Sequence, residues 1–166
     1  IRSRLPHSYI RSSFIVGHPY ESAREFRGLL EFLTQVQLDR AVFFPYSREP
    51  GTVSAKYRNQ PGSTGCHPSR RVISRRYEMA RKHQFAIERR QSRRLIGETL
   101  EVIVEENRYG IYYGRSYRDA PEIEGRVRIT GPVNDSDLGE FITVRVTAIK
   151  GIDLTGRRER SRPFPT

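Results

Sequence analysis

The chain has 166 residues, a length that suits one average domain or two small ones and excludes a large multidomain enzyme. Hydrophobic residues make up 36% of it, which excludes a disordered chain, and a single cysteine, Cys66, excludes a disulfide framework and a metal site of several thiolates within this chain. The formal net charge of +11 makes nucleic acid or another polyanion the first partner to consider.

The charge is unevenly distributed. Residues 1–67 hold nine basic and five acidic residues, residues 68–94 ten and two, and residues 95–156 seven and eleven, whereas the tail 157–166 is basic. We therefore predict four segments with these boundaries, and the Pro/Gly/Ser-rich stretch 59–65 indicates a loop at the first boundary. No apolar run approaches the roughly 20 residues that span a bilayer, which favours a cytoplasmic protein without membrane contact.

Residues 13–16 form a short apolar run that ends at Gly17-His18-Pro19. Because the run does not alternate, it predicts a strand buried on both faces. Ser22 and Glu25 then have the spacing of a capping box at a helix start. The apolar residues that follow have helical spacing: Phe26, Leu29, Leu30, Leu33 and Val36.

Residues 41–44 predict a second buried strand, closed by Pro45-Tyr46-Ser47, so the first segment reads as a βαβ unit. Ligands of such folds lie at the carboxyl ends of parallel strands, where we expect residues 17–19 and 46–47. The alternative is that these are ordinary turn residues. One βαβ unit leaves sheet edges unpaired, so either another chain completes the sheet or, as we favour, the unit ends a larger barrel.

Residues 69–94 contain neither glycine nor proline and predict a helix. Its apolar seam is narrow and consists of Ile73, Tyr77, Ala80 and Ile87. The surrounding arginines admit two interpretations: a helix that contacts phosphates with strong salt dependence, or a solvated connector whose arginines pair with neighbouring acids.

Residues 95–156 predict several short alternating strands, typical of a small antiparallel barrel of the OB type. Leu100, Val102 and Val104 share one face of the first strand. A later strand repeats the pattern with Ile142, Val144, Val146 and Ala148. Tyrosines of such barrels either stack on bases or pack against neighbours, and both interpretations stay open for Tyr109, Tyr112 and Tyr113. Residues 114–125 carry both signs of charge and a proline, which predicts a recognition loop between strands.

These residues resemble the C-terminal part of the RimO-type radical S-adenosylmethionine methylthiotransferases, which end in a TRAM domain. The similarity lies in residues 12–19, in residues 39–52 with their Tyr-Ser-x-Glu-x-Gly-Thr exit, and above all in Asp-Ala-Pro-Glu-Ile at residues 119–123. His18-Pro19-Tyr20 stands where the family more often has Phe-Pro-Gly. The fold that the resemblance implies is α/β followed by all-β: the terminal βαβ portion of a partial TIM-type radical SAM barrel, a connecting helix, and an OB-like TRAM barrel.

The resemblance implies transfer of a methylthio group to the β-carbon of an aspartate in a small-subunit ribosomal protein, with S-adenosylmethionine and 4Fe-4S clusters as cofactors. It places the adenine of S-adenosylmethionine at Ile15 and Gly17, with Tyr46 and Ser47 beside the same nucleoside. The residues that we expect to contact the protein substrate are Arg115, Ser116, Asp119, Pro121 and Glu122.

The radical SAM cluster needs a Cys-x-x-x-Cys-x-x-Cys loop, so this chain alone is expected to be inactive, and we interpret Cys66 as incidental. Two alternatives stay open: a stand-alone RNA-binding TRAM module and a catalytically dead adaptor. The acidic barrel favours a basic ribosomal protein as partner, with weak non-specific RNA contact through residues 70–94 and a monomeric state.

Overall fold

The computed structural model describes residues 1, 3–5, 8–56, 68–120 and 125–159. The chain divides into two compact units, residues 1–88 and residues 89–166, each with its own hydrophobic core. Within the described ranges, no helix is both long enough and apolar enough to cross a membrane.

The first unit begins with a strand, a helix and a second strand. Strand β1 (Arg11–Val16) and strand β2 (Arg40–Pro45) pair in parallel, and helix α1 (Ala23–Val36) connects them. Because parallel neighbours need a crossover connection, this arrangement confirms the predicted βαβ unit.

Helix α1 starts where its capping residues predict. The Ser22 hydroxyl accepts hydrogen bonds from the N–H groups of Arg24 and Glu25, and the Glu25 carboxylate accepts the Ser22 N–H at 2.8 Å. These bonds satisfy amides that have no partner within the helix. The helix ends at Gln37, whose φ of 53° is left-handed and whose N–H donates to the Leu33 carbonyl.

The arginine-rich segment forms helix α3 (Arg70–Arg93), which follows the short helix α2 (Val53–Lys56) along the chain. Contacts of α3 progress in the same order along the chain of α1: Arg76 reaches Glu21, just before α1, and His83 Nε2 lies 2.8 Å from Thr34 Oγ1 within it. The two helices therefore run in the same direction. Up to Glu88, α3 belongs to the first unit and packs against its core, and Arg76 pairs with an acid of a neighbouring element, as the connector interpretation expects.

The core of the first unit lies between the sheet and these two helices. Its buried apolar side chains are Val16, Phe26, Leu33, Leu38, Ala41, Phe43, Ala80 and Ile87. Phe14 stacks on Phe43 with ring centroids 5.6 Å apart. The helices cover this side of the sheet, so every second residue of each strand packs against them.

The opposite face of the two strands is open among the described residues. Ile15 and Phe44 are direct neighbours in the parallel register, and they are 59% and 51% exposed. The expectation that both strands are buried on both faces is therefore wrong for this unit, because the two-stranded sheet has its helices on one side only.

The second unit is a closed five-stranded barrel. Its strands are β3 (Thr99–Arg108), β4 (Ile111–Ser116), β5 (Val127–Thr130), β6 (Phe141–Lys150) and β7 (Asp153–Arg158). The order around the barrel is β3-β4-β5-β7-β6, with β5 and β7 parallel and the other pairs antiparallel. Closure removes free sheet edges, as predicted for a small OB-like barrel.

The barrel core includes six of the seven residues predicted to share strand faces, and it adds Val127, Ile129 and Leu154. It contains Leu100, Val102, Val104, Val127, Ile129, Ile142, Val144, Val146 and Leu154. Ala148, predicted to share the inner face of β6, is exposed because the register shifts between Val146 and Ala148. After this irregularity, Ile149 packs against the core instead.

Candidate functional site

The first candidate site lies at the carboxyl ends of β1 and β2. The Tyr46 N–H donates to the Val16 carbonyl at 2.8 Å, and the rings of His18 and Tyr46 meet edge-on with centroids 5.2 Å apart. Gly17 is buried with φ of 78°, whereas Ser47 is exposed. The structure thus brings Gly17, Tyr46 and Ser47 to one edge of the sheet, next to Ile15 on the open face.

The loop between β1 and α1 is held by a carboxylate that the sequence did not single out. Glu21 Oε2 accepts the Gly17 N–H at 2.9 Å, and Glu21 Oε1 accepts a hydrogen bond from the Arg76 guanidinium at 2.7 Å. The same Arg76 nitrogen donates to the Glu21 carbonyl at 2.7 Å. Arg76 lies 55 residues further along the chain, so no local signal could identify this partnership.

The arrangement suits a nucleoside better than a metal ion. Ile15 and Phe44 form an exposed apolar surface at the strand ends, which fits the flat face of an adenine ring, and Ser47 offers an exposed hydroxyl beside it. Among the described residues, no group of three or more His, Cys, Asp or Glu side chains could hold a metal ion. Cys66 lies outside the described residues. The residues present therefore fit S-adenosylmethionine but do not supply the ligands of an iron–sulfur cluster.

The second candidate site is the predicted recognition loop, and part of it is strand. Gly114, Arg115 and Ser116 belong to β4, where Gly114 pairs with Val104 on one side and Val127 on the other. The predicted start of the loop at residue 114 is therefore wrong, because β4 is needed to close the barrel between β3 and β5. Pro121 and Glu122 lie outside the described residues.

Ser116 and Asp119 close a tight turn with each other. The Ser116 N–H and hydroxyl both donate to Asp119 Oδ2, at 3.0 and 2.9 Å, and the Asp119 N–H returns a bond to the Ser116 carbonyl at 3.0 Å. Ser116 is only 6% exposed. The turn leaves Tyr117 exposed at its tip, while Arg115 forms an ion pair with Glu105 on the barrel surface. Among the described residues 114–120, Tyr117 is thus the exposed side chain, and Arg115 is half-buried.

Two of the three tyrosines considered for base stacking, Tyr109 and Tyr112, differ in their surroundings. Tyr109 is fully exposed in the turn before β4 with φ of 53°, whereas Tyr112 packs partly against the barrel core. The Tyr112 hydroxyl donates to Asp135 Oδ1 at 2.8 Å, and the Asn107 amide donates to the same oxygen at 2.6 Å. The bonds from Asn107 and Tyr112 lower the pKa of Asp135, and the bond to Asp135 raises the pKa of Tyr112. Packing is therefore the better interpretation for Tyr112.

Comparison with known proteins gives both units a family context. Residues 96–158 match the TRAM domain family. The chain is 39% identical over 161 residues to the ribosomal protein uS12 methylthiotransferase RimO of Roseiflexus sp. (strain RS-1), an alignment that covers 94% of this chain and 32% of the relative. The chain is related to the C-terminal part of the RimO-type methylthiotransferases.

Other RimO relatives give the same result. The enzyme of Desulforamulus reducens is 39% identical over 159 residues, and that of Geobacter sulfurreducens is 37% identical over 159 residues. Both alignments cover 94% of this chain and 34% of the relative. The chain therefore spans about a third of the length of the RimO-type relatives that it matches.

The match to the TRAM family contains all of the barrel strands. Its residues 96–158 include β3 to β7, so the barrel corresponds to the TRAM domain. The predicted segment 95–156 stopped two residues before the end of β7 at Arg158. Arg158 donates to Asp137 Oδ2 at 2.7 Å, and this bond fixes the end of β7 to the 3-10 turn Asp135–Asp137.

The turn after Gly17 contains one residue with a special conformation. Tyr20 has φ of 69°, in the left-handed region that glycine favours. A tyrosine in this left-handed conformation costs about 1–2 kcal/mol of folding free energy relative to a right-handed one, because its Cβ approaches the following carbonyl oxygen. Such strain is typical of segments whose backbone is fixed by function.

Proposed function

We propose that this chain is the C-terminal part of a longer radical S-adenosylmethionine enzyme that adds a methylthio group to the β-carbon of an aspartate in ribosomal protein uS12. The observation that carries the proposal is similarity to RimO relatives along 94% of the chain. In this proposal, the first unit completes the catalytic barrel and the TRAM domain binds the protein substrate.

The open face of the first unit supports the barrel role. A face that exposes both Ile15 and Phe44 is unusual for parallel strands, which are normally covered on both sides. In a closed (β/α) barrel, this face would point into the interior, and the strand ends would contribute to the active site. Ile15, Gly17, Tyr46 and Ser47 would then lie along the nucleoside of S-adenosylmethionine.

The chemistry divides between this chain and the rest of the polypeptide. S-adenosylmethionine with an iron–sulfur cluster supplies the radical chemistry that an unactivated carbon–hydrogen bond requires. The cluster thiolates would come from a part of the polypeptide outside this chain, which has one cysteine. The residues of this chain would bind and orient the nucleoside and the protein substrate, with Arg115, Ser116, Asp119, Pro121 and Glu122 on the substrate side.

The complete reading frame provides the first test. We expect it to encode a Cys-x-x-x-Cys-x-x-Cys loop upstream of Ile1, and we expect uS12 from the source organism to carry a methylthio group that disappears when the gene is deleted. Mass spectrometry of uS12 peptides measures this directly. A start codon immediately before Ile1, or unchanged uS12 in the deletion strain, would contradict an enzyme and favour the dead adaptor.

Binding of the 166-residue chain to purified uS12 tests the substrate role. Arg115→Gln is expected to weaken binding about tenfold, because a lost charge-assisted contact is worth about 1.5 kcal/mol. Arg145→Gln is the matched control, because Arg145 also pairs with a carboxylate on the barrel surface, that of Glu159. Equal losses in the two variants, measured by isothermal titration, would count against the segment around Arg115 as the substrate site.

The arginine-rich helix supports RNA contact as a second candidate role. Arg71, Arg75 and Lys82 share one exposed face of α3, and within the described residues none of them forms an ion pair. Phosphate contacts by this face would make binding weak and strongly salt-dependent. If the chain binds RNA more tightly than uS12, and Arg75→Gln reduces that affinity, the RNA-binding module becomes the better interpretation.

A further inference from the structure

We propose that Arg76 of helix α3 is a positioning residue for the cofactor: it holds Glu21 so that the Glu21 carboxylate fixes the Gly17 peptide at the carboxyl end of β1. This inference rests on the proposed function, because it concerns the loop at which the nucleoside would bind. It gives the arginine-rich helix a role in the first candidate site, in addition to the two interpretations open from the sequence: phosphate contact, or a solvated connector whose arginines pair with neighbouring acids.

The bonds of Glu21 carry the proposal. One carboxylate oxygen accepts the Gly17 N–H at 2.9 Å and the other accepts Arg76 at 2.7 Å, so the side chain bridges the loop and the helix. Arg76 also donates to the Glu21 carbonyl at 2.7 Å, which fixes the backbone of the same residue. The Glu21 N–H donates to the His18 carbonyl at 2.9 Å and completes the turn.

Burial makes this bridge more effective than a surface ion pair. The side chains of Arg76 and Glu21 are each 12% exposed, so water screens them little. The Arg76 guanidinium lies 5.5 Å from the ring centroid of Phe26, which is part of the core. The cation is thus anchored by packing as well as by charge.

The same helix also limits the space around Gly17. A Cβ atom at Gly17 would lie 2.6 Å from Ile73 Cγ1, and Ile73 is one turn before Arg76 on α3. Gly17 is therefore held by a steric contact on one side and by the Glu21 bond at its N–H. The Tyr46 N–H donates to the carbonyl of Val16, which belongs to the same peptide group as the Gly17 N–H. Any shift of this peptide would therefore also disturb its hydrogen bond to the segment after β2.

Loss of Arg76 would leave Glu21 as a largely buried carboxylate without its cation, and the loop would open to hydrate it. We therefore expect Arg76→Gln to increase hydrogen exchange of the Gly17 amide in the 166-residue chain by about tenfold or more. In the polypeptide of the complete reading frame, we expect affinity for S-adenosylmethionine to fall about tenfold, while KM for uS12 stays unchanged.

The matched control is Arg81→Gln, which removes an exposed ion pair with Glu78 from the same helix. Arg76→Lys serves as the conservative variant. A lysine ammonium is compact and does not form the fork of a guanidinium, so it should restore only part of the protection of Gly17. Nuclear magnetic resonance measures the exchange, and equilibrium dialysis with S-adenosylmethionine measures the affinity.

The two measurements separate this inference from the proposed function. If Gly17 exchange rises no more in Arg76→Gln than in Arg81→Gln, Arg76 does not position the loop and the inference is overturned. If exchange rises but affinity for S-adenosylmethionine is unchanged, the loop does not hold the cofactor, and Arg76 has a structural role alone. A rise in exchange together with a fall in affinity, partly restored by lysine, supports the positioning role.

Discussion

Replacement of Glu88 by alanine is expected to lower the free energy of unfolding of the first unit by about 3–5 kcal/mol. Glu88 Oε2 accepts a hydrogen bond from Arg40 at 3.0 Å, and the two side chains are only 9% and 8% exposed. Glu88 Oε1 accepts the Ala41 N–H and the Gln84 amide, each at 3.2 Å. Alanine would remove the carboxylate partner of a buried cation and the acceptor of a backbone donor at the start of β2.

Hydrogen exchange followed by mass spectrometry can measure this effect within the intact chain. Peptides from α1 and β2 report on the first unit, and peptides from β3 and β6 serve as an internal reference because the barrel has a separate core. Glu78→Ala is the control on the same helix. Its carboxylate forms an exposed ion pair with Arg81, so the expected loss is below about 0.5 kcal/mol.

A double variant tests the physical cause. Arg40→Met combined with Glu88→Leu removes both charges and keeps apolar volume, so we expect it to recover much of the stability lost in Glu88→Ala. If Glu88→Ala destabilised α1 and β2 no more than Glu78→Ala does, the buried network would not be a major source of stability in this unit.

Local sequence signals predicted the elements of the first unit because those signals act over a few residues. The capping residue Ser22 and the helical spacing of Phe26 and Leu33 are sufficient to place α1 and its buried face. The apolar runs before Gly17 and Pro45 similarly placed the two strands. The exposure of one face of β1 and β2 could not be predicted from these apolar runs alone, since burial depends on which neighbouring elements cover the sheet.

The polar contacts that organise the candidate site could not be predicted in this way. Arg76 and Glu21 are 55 residues apart, and Arg40 and Glu88 are 48 apart. Gln84 and Glu88 also occupy buried positions of α3 that follow the spacing of the apolar seam, although their side chains are polar. A polar residue becomes suitable for such a position only when its partner is known, and that partner is determined by the tertiary fold.

The charge of the arginine-rich segment has a different meaning in the folded chain. Arg76 is largely buried and pairs with Glu21, and Arg81 pairs with Glu78, whereas Arg71, Arg75 and Lys82 face solvent. The barrel acids are similarly engaged: Glu105, Glu106, Asp137 and Glu159 all form ion pairs with barrel arginines. The number of charged residues in a segment therefore overstates the number of unpaired charges that a partner would meet.

The barrel contains a steric constraint whose removal should also have a large effect. Gly114→Ala is expected to lower the free energy of unfolding of the barrel by about 3 kcal/mol, at the upper end of the range for overpacked cores. A Cβ atom at this position would lie 2.2 Å from the Ile103 carbonyl oxygen and 2.7 Å from Val102 Cγ1. Gly114 does not have a positive φ, so the cost is steric and not conformational.

Gly156 provides a comparison with Gly114, because an added Cβ at Gly156 would clash first with a side chain and one at Gly114 first with the backbone. Its Cβ would lie 2.3 Å from Val144 Cγ1 and 2.9 Å from the Arg145 carbonyl oxygen, so a smaller residue at 144 should relieve part of the strain. We expect Gly156→Ala with Val144→Ala to be less destabilised than the sum of the two single variants. Gly114→Ala with Val102→Ala should show no such recovery, because the carbonyl of Ile103 belongs to the β3–β4 ladder and cannot move away.

Gly28→Ala is the control for the substitution itself. Apart from the backbone of its own helix, no atom lies within 4 Å of a Cβ at Gly28, which is in the interior of α1, so alanine there should stabilise the first unit by about 0.5–1 kcal/mol. Urea unfolding followed by hydrogen exchange assigns each change to its unit. An equal recovery in both barrel double variants would mean that the β3 backbone can move as easily as a valine side chain. The close contact between β3 and β4 at Gly114 would then not be a rigid steric constraint.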